Sequence, residues 1–184
     1  MMSALWLLIE TVGSLLATAC VLRAVAWSQS LSARNPLMQF VIAITDWIVK
    51  PLRRVVPASR KVDWASIAAA LILSLVLAFF YSVLLLARSP MFGGVFFIAL
   101  FWLCKWSVYL LIGLLLVQAV LSWVNPQAPI APIIDLLTRP FLAPVRRFVP
   151  LIGGVDLSPL VLIVVAQALL MVLESLLSTV LRLL

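Results

Sequence analysis

The chain contains no histidine. That absence removes Ser-His-Asp and Cys-His catalysis, histidine-ligated zinc and haem, and any histidine proton shuttle. Charge is scarce too: 10% of the 184 residues are charged, against roughly 25% in soluble globular domains. Cysteine occurs twice, at Cys20 and Cys104, in apolar runs and with no C-x-x-C spacing. Neither a disulfide nor a metal or cofactor thiolate is expected. Apolar residues fill the chain instead, at 66%, and mean hydropathy is +1.27. The solvent for most of such a chain is lipid.

A helical span needs about 20 mostly apolar residues to cross about 30 Å of hydrocarbon. Residues 5–27, 64–87 and 159–181 qualify directly. The apolar stretch 91–123 has 33 residues, too few for two spans and a turn, which need about 40. Trp27, Trp64 and Trp123 stand at span ends, where indole favours the membrane interface, and Trp102 and Trp106 mark the opposite interface. One span is therefore placed at about 103–123, with 91–102 as an outer segment, either a surface helix or a tilted continuation. Met1 to Ala4 carries no lysine or arginine, and the run behind it exceeds a signal-peptide core, so the first span is expected to stay as an anchor.

Loop 28–63 carries Arg34, Lys50, Arg53, Arg54, Arg60 and Lys61, and loop 124–158 carries Arg139, Arg146 and Arg147, whereas the other side has Arg88 and Arg182. The positive-inside rule puts both loops in the cytoplasm and both termini outside. The two loops also repeat each other. Pro51-Leu-Arg-Arg-Val-Val-Pro57 matches Pro144-Val-Arg-Arg-Phe-Val-Pro150 at an offset of 93, with Thr45 on Thr138 and Asp63 on Asp156. With a two-residue gap, Arg23 falls on Gln118 and Glu10 on Lys105. The expected fold class is an all-α membrane protein of four transmembrane helices. It comprises two tandem helical-hairpin repeats of the same orientation, residues 1–88 and 89–184, each with an interfacial amphipathic helix in its cytoplasmic loop.

The carrying residues Leu121-Ser-Trp123, Thr138-Arg-Pro-Phe-Leu-Ala-Pro-Val-Arg-Arg147 and Gly153-Gly-Val-Asp-Leu-Ser-Pro159, with Leu22-Arg23, Asn35-Pro36, Pro51-Leu-Arg-Arg54 and Pro57 in the first half, resemble the YggT (YlmG) family of bacterial and plastid membrane proteins. The resemblance covers nearly the whole chain and implies a multi-pass protein of the bacterial cytoplasmic (inner) membrane. It also brings associations with osmotic or ionic stress, with cell-division gene neighbourhoods and, in plastids, with cytochrome assembly or nucleoid organisation. It names no reaction. Trp47 replaces the family's usual proline, the first half lacks the Gly-Gly turn, and Gln118 stands where many relatives carry arginine.

Several segments are candidates for function. Asn35-Pro36 is a helix start signal, and Leu37, Phe40, Val41, Ile44, Trp47 and Ile48 form an apolar face that is expected to end at Pro51. Its counterpart, 130–141, puts Ile130, Ile133, Ile134, Leu137 and Phe141 on one face and Asp135 with Arg139 on the other. The pairs Arg53-Arg54 and Arg146-Arg147, set between prolines, are read as contacts for lipid headgroups or an acidic partner, or as topology signals alone. Asp63, Gly153, Gly154, Asp156 and Ser158 are read as turn and cap residues of the following spans. Inside spans lie Glu10, Arg23, Lys105, Gln118 and Glu174. Of these, Glu10 and Lys105 are candidates for an interhelical ion pair, Arg23 for snorkelling to headgroups, and Gln118 for helix-to-helix hydrogen bonding.

The leading expectation is a non-enzymatic membrane protein, a scaffold, assembly or stress-adaptation factor that engages membrane lipid or a partner complex through its arginine-rich loops, with homo-oligomerisation open. The alternative is a small oligomeric ion channel or transporter linked to osmotic or ionic adaptation. A lipid enzyme would have Asp63, Asp156 and the arginines but no nucleophile with its base. No catalytic residue, cofactor or metal site is assigned, and no aromatic platform accompanies the cations to make a nucleic-acid reader.

Overall fold

The computed structural model describes residues 2–59, 61–84, 92–149 and 156–183. They form six α-helices, α1 (Met2–Ser28), α2 (Pro36–Leu52), α3 (Trp64–Leu84), α4 (Phe92–Val124), α5 (Ala131–Val145) and α6 (Ser158–Leu183), with no strand among the described residues. Four of them, α1, α3, α4 and α6, are long and apolar enough to cross a membrane. Leu7, Leu8, Val12, Phe79, Phe80, Val164 and Met171 leave large apolar side chains exposed on these helices, the surface that a lipid solvent requires.

Segment 92–102 is the first third of α4 and not a separate surface helix, and Met91 lies outside the described residues. Nothing between Phe92 and Val124 breaks the helix: the stretch holds no proline, and its apolar residues surround the axis. At 1.5 Å per residue the 33 residues of α4 reach about 50 Å. Trp102 and Trp106 do not bound the span as expected. Trp106 is buried, and the two rings lie tilted against each other at 5.8 Å, with Trp102 at 6.2 Å from Trp6 and 5.3 Å from Tyr81. Ring packing therefore fixes these indoles as well as any preference for headgroups.

By contact density the chain divides into two compact units, Met1–Ser107 with Leu176–Leu184, and Val108–Ser175. In the first, Gly13 of α1 lies so close to α3 that a Cβ there would stand 2.6 Å from Leu77 Cδ1. Buried Ala17, Cys20, Ala65, Ala69 and Ala70 continue that seam of small side chains. Such residues let helix backbones approach where water supplies no hydrophobic push. In the second unit Leu115, Leu142 and Ile163 form the core. Gly113, by contrast, has open space where its Cβ would be.

The short helices pack through faces that periodicity only half discloses. In α2 the buried residues are Met38, Val41, Thr45 and Val49, while Phe40 and Trp47 are exposed. In α5 they are Ile134, Leu137, Thr138 and Leu142. Neither helix stops at its first proline: α2 passes Pro51 to reach Leu52, and α5 passes Pro140 and Pro144 to reach Val145. A proline in the last turn forfeits one hydrogen bond there, and the chain compensates by tightening. Arg53 N–H still reaches Val49 O at 2.9 Å, and Arg54 N–H then bonds Pro51 O at 3.2 Å. The second loop repeats this with Arg146 N–H to Leu142 O at 2.9 Å and Arg147 N–H to Pro144 O at 3.3 Å.

Candidate functional site

Each loop helix is tied down by polar side chains at its buried face and just beyond its C-terminus. In the first unit Asn35 Oδ1 accepts from Leu37 N–H at 3.0 Å and Pro36 takes the first helical position, which starts α2 beneath the end of α1. Thr45 then faces α1. Arg23 is 4% exposed, and its Nη1 donates to Thr45 Oγ1 at 2.8 Å and to Asp46 Oδ1 at 2.9 Å. Arg23 does not snorkel: a carboxylate one helical step from its threonine partner holds it inside, where pairing offsets much of the desolvation. Lys50 joins Asp46 from one turn on at 3.3 Å. Burial raises the Asp46 carboxyl, but the hydrogen bond and charge of Arg23, together with Lys50, outweigh it and leave the group below its ordinary value of 3.8.

Arg53 connects three helix ends. Its Nη2 donates to Asp63 Oδ2 at 2.6 Å, and its guanidinium lies 5.0 Å over the Trp27 ring, whose Nε1 donates to Ser59 O at 3.0 Å. Asp63 is 0% exposed and also accepts from Ser66 Oγ at 2.8 Å and Ser66 N–H at 3.4 Å, closing the N-terminus of α3.

The second unit builds a single network from different parts. Gln118 Oε1 accepts from the Thr138 hydroxyl, and Gln118 Nε2 donates to Asp135 Oδ1 at 3.0 Å. Arg146 donates from both terminal nitrogens to the same Asp135 Oδ1 at 3.3 Å and from Nε to Asp156 Oδ2 at 2.8 Å. Asp135 is thus partnered by Arg146 and not by Arg139 four residues on, whose side chain is exposed. Arg146, past the helix end, bridges two carboxylates at once. Asp156 Oδ1 accepts from Ser158 N–H at 2.9 Å, whereas Ser158 Oγ is buried without a hydrogen-bond partner. The cap of α6 is therefore the carboxylate and not the serine hydroxyl. Burial raises the Asp156 carboxyl, and hydrogen bonding from Ser158 with the Arg146 guanidinium outweighs that, leaving it below 3.8. Gly153 and Gly154 lie outside the described residues.

The remaining candidates are not gathered here. Arg54 and Arg147 are exposed and enter none of the ion pairs among the described residues. Beside them Val55 and Phe148 are 80% and 85% exposed, more than any other large apolar side chain described. Glu10 sits part-exposed on α1 and joins none of the ion pairs among the described residues, so the expected Glu10–Lys105 bridge is not formed. Lys105 and Glu174 are each engaged by other contacts. Periodicity put Asp135 with Arg139 on the face opposite the apolar one and did not single out Asp46. The one available signal was that Thr45 and Thr138, polar residues on otherwise apolar stripes, coincide at the offset of 93.

The sequence model of the CCB3/YggT family matches residues 2–84 and 97–177. The chain belongs to the CCB3/YggT family. It is 37% identical to the uncharacterized protein YggT of Escherichia coli strain K12 over 166 residues, 88% of this chain and 85% of that one. An uncharacterized protein in the proC 3′ region of Vibrio alginolyticus is 37% identical over 171 residues, 90% of this chain and 91% of its own. The uncharacterized protein PA0392 of Pseudomonas aeruginosa is 29% identical, covering 83% of this chain and 79% of its own. No solved structure matches the chain.

Proposed function

We propose that the chain is a non-enzymatic scaffold or assembly factor of the bacterial inner membrane. Its two basic loops lie on the cytoplasmic side and engage anionic headgroups or a partner complex there. The architecture behind this reading is a pair of tandem hairpin repeats. Arg53–Asp63 and Arg146–Asp156 support it as ion pairs of equal sequence separation 93 residues apart. The family match supports it too, because its two stretches begin 95 and end 93 residues apart. Under this reading α2 and α5 lie at the interface, with Phe40, Trp47 and Phe141 on the lipid side.

The observation that carries the function is the division of labour within each arginine pair. Arg53 and Arg146 are consumed by internal carboxylates, so the loops are pinned to the spans. Arg54 with Val55, and Arg147 with Phe148, are left outward as a cation beside an apolar side chain. That combination suits an anionic interface, where each cation contributes about 1 kcal/mol. Among the described residues Arg23, Arg53, Gln118 and Arg146 are spent on pinning the loops, which favours a scaffold over a conductor.

Purified protein in sealed proteoliposomes, assayed for potassium, sodium and proton flux under an osmotic step, tests this. Folded protein is expected to give flux no greater than protein-free vesicles. Flux abolished by Glu174→Gln but not by Arg54→Ala with Arg147→Ala would establish the conducting alternative and overturn the scaffold.

A further inference from the structure

A groove of about 300 Å³ opens in the first unit between α1, α3 and α4, at the lower end of the size range of ligand pockets. Its body is apolar: Val21 and Val25 line it from α1, Ile67 from α3 and Leu103 from α4. Ala24 and Ala70 provide the room, since each contributes only a methyl group where the neighbouring positions carry branched chains. At its mouth, where α1 ends and α3 begins, the lining includes Ser28 and Lys61. Lys61 is exposed and enters no ion pair among the described residues.

The depth of that mouth is marked independently. Trp27 and Trp64 stand at the same two helix ends, both exposed, and indole rings favour the headgroup layer. Lys61, unpaired among the described residues, therefore stands at phosphate level at one end of an apolar slot that runs along membrane-length helices. An acyl chain matches the slot and an anionic phosphate matches the lysine. A neutral or soluble ligand would leave one of the two unmatched.

We propose that this groove is a binding site for one anionic phospholipid, with an acyl chain between α1, α3 and α4 and its phosphate on Lys61. The site shares no residue with the Arg54 and Arg147 tips, so it stands or falls separately from the scaffold reading. The full chain is reconstituted into vesicles doped with phosphatidylglycerol carrying a photoreactive diazirine in its acyl chain. A parallel set carries the same acyl chain on phosphatidylcholine. After irradiation the labelled residues are mapped by mass spectrometry.

Labelling is expected at Val21–Val25 and around Leu103, stronger with phosphatidylglycerol than with phosphatidylcholine. Lys61→Gln should reduce it by about five-fold, as befits loss of one cation at an anionic surface, and Lys61→Arg should retain it. Ala24→Phe, at a part-exposed position, should fill the slot and remove labelling from either lipid. Equal labelling by the two lipids, unchanged labelling in Lys61→Gln, or none at these residues would each overturn the proposal. Because Lys61 lies on the surface, the Lys61→Gln arm remains decisive even if Ala24→Phe perturbs the fold.

Discussion

Arg53 and Arg54 are chain neighbours of equal charge, yet only Arg53 has a buried carboxylate within reach, at 2.6 Å. Removing it leaves Asp63, 0% exposed, with an uncompensated charge, the circumstance in which a lost pair costs most. Arg53→Ala should destabilise the protein in detergent by about 3 kcal/mol, while Arg54→Ala should stay within about 0.5 kcal/mol. Thermal or denaturant unfolding followed by circular dichroism measures both, and equal losses would contradict the assignment. Arg146 bridges two carboxylates but is more exposed, so Arg146→Ala should cost nearer 1 kcal/mol. The carboxylates add a pH dependence. Asp46 and Asp156 are both held below 3.8 in the folded chain, so the folded state favours their charged forms. Their contribution is fully present above the ordinary value and drains away as pH falls through the lower folded value. Melting temperature should therefore be flat above about pH 5 and fall below about pH 4, and Asp46→Asn with Asp156→Asn should flatten that fall. Little of this pairing was legible in the sequence. The Pro-x-Arg-Arg-x-x-Pro block located the arginines, but both members of each pair read alike, because spacing cannot tell which guanidinium turns back toward the spans.

At the scale of elements, hydropathy was a sufficient guide wherever burial in lipid is the whole requirement, and α1, α3 and α6 lie close to their expected bounds. It was insufficient at α4, a continuous helix in which Trp102, read as an interface residue, packs on Trp6 and Tyr81 and Trp106 packs on Trp102. Small residues had the same ambiguity. Gly13 and Gly113 are both glycines inside apolar helices, but of the two only Gly13 is pressed against a neighbouring helix, with Leu77 Cδ1 2.6 Å from the position of its Cβ. Leu77 is itself buried against Ala17 and Trp106 and has little room to yield. Gly13→Val should therefore separate α1 from α3 and cost about 1–3 kcal/mol, as overpacking in a filled core does, whereas Gly113→Val should be near neutral. Equal effects in the same unfolding assay would show that the α1–α3 seam is looser than drawn. The helix-end tips belong to this scale as well. If α2 and α5 lie in the interface, a spin label at Phe148→Cys should report contact with the lipid phase, with oxygen colliding more often than a water-soluble nickel chelate. The reverse ratio would place the tip in water.

For the whole molecule the question is which side the loops face, and charge distribution is the only physical handle. Six cations lie in residues 28–63 and three in 124–158, an excess that opposes translocation of either loop. Within each unit Arg53 and Arg146 are bound to carboxylates at the starts of α3 and α6, so each loop is pinned to the span that leaves it; under the tandem-hairpin reading proposed above, two crossings between the loops would put both on one side. The two loops must then respond together. Cysteines placed at Arg54 and at Arg147 should both be protected from a membrane-impermeant maleimide in intact cells and both react after permeabilisation, while a tag on either terminus should show the opposite pattern. Mixed protection of the two cysteines would mean antiparallel halves. That would remove the tandem-hairpin reading, because an odd number of crossings between the loops would then be required and 92–124, as one continuous helix of 33 residues, leaves no segment to supply the additional crossing.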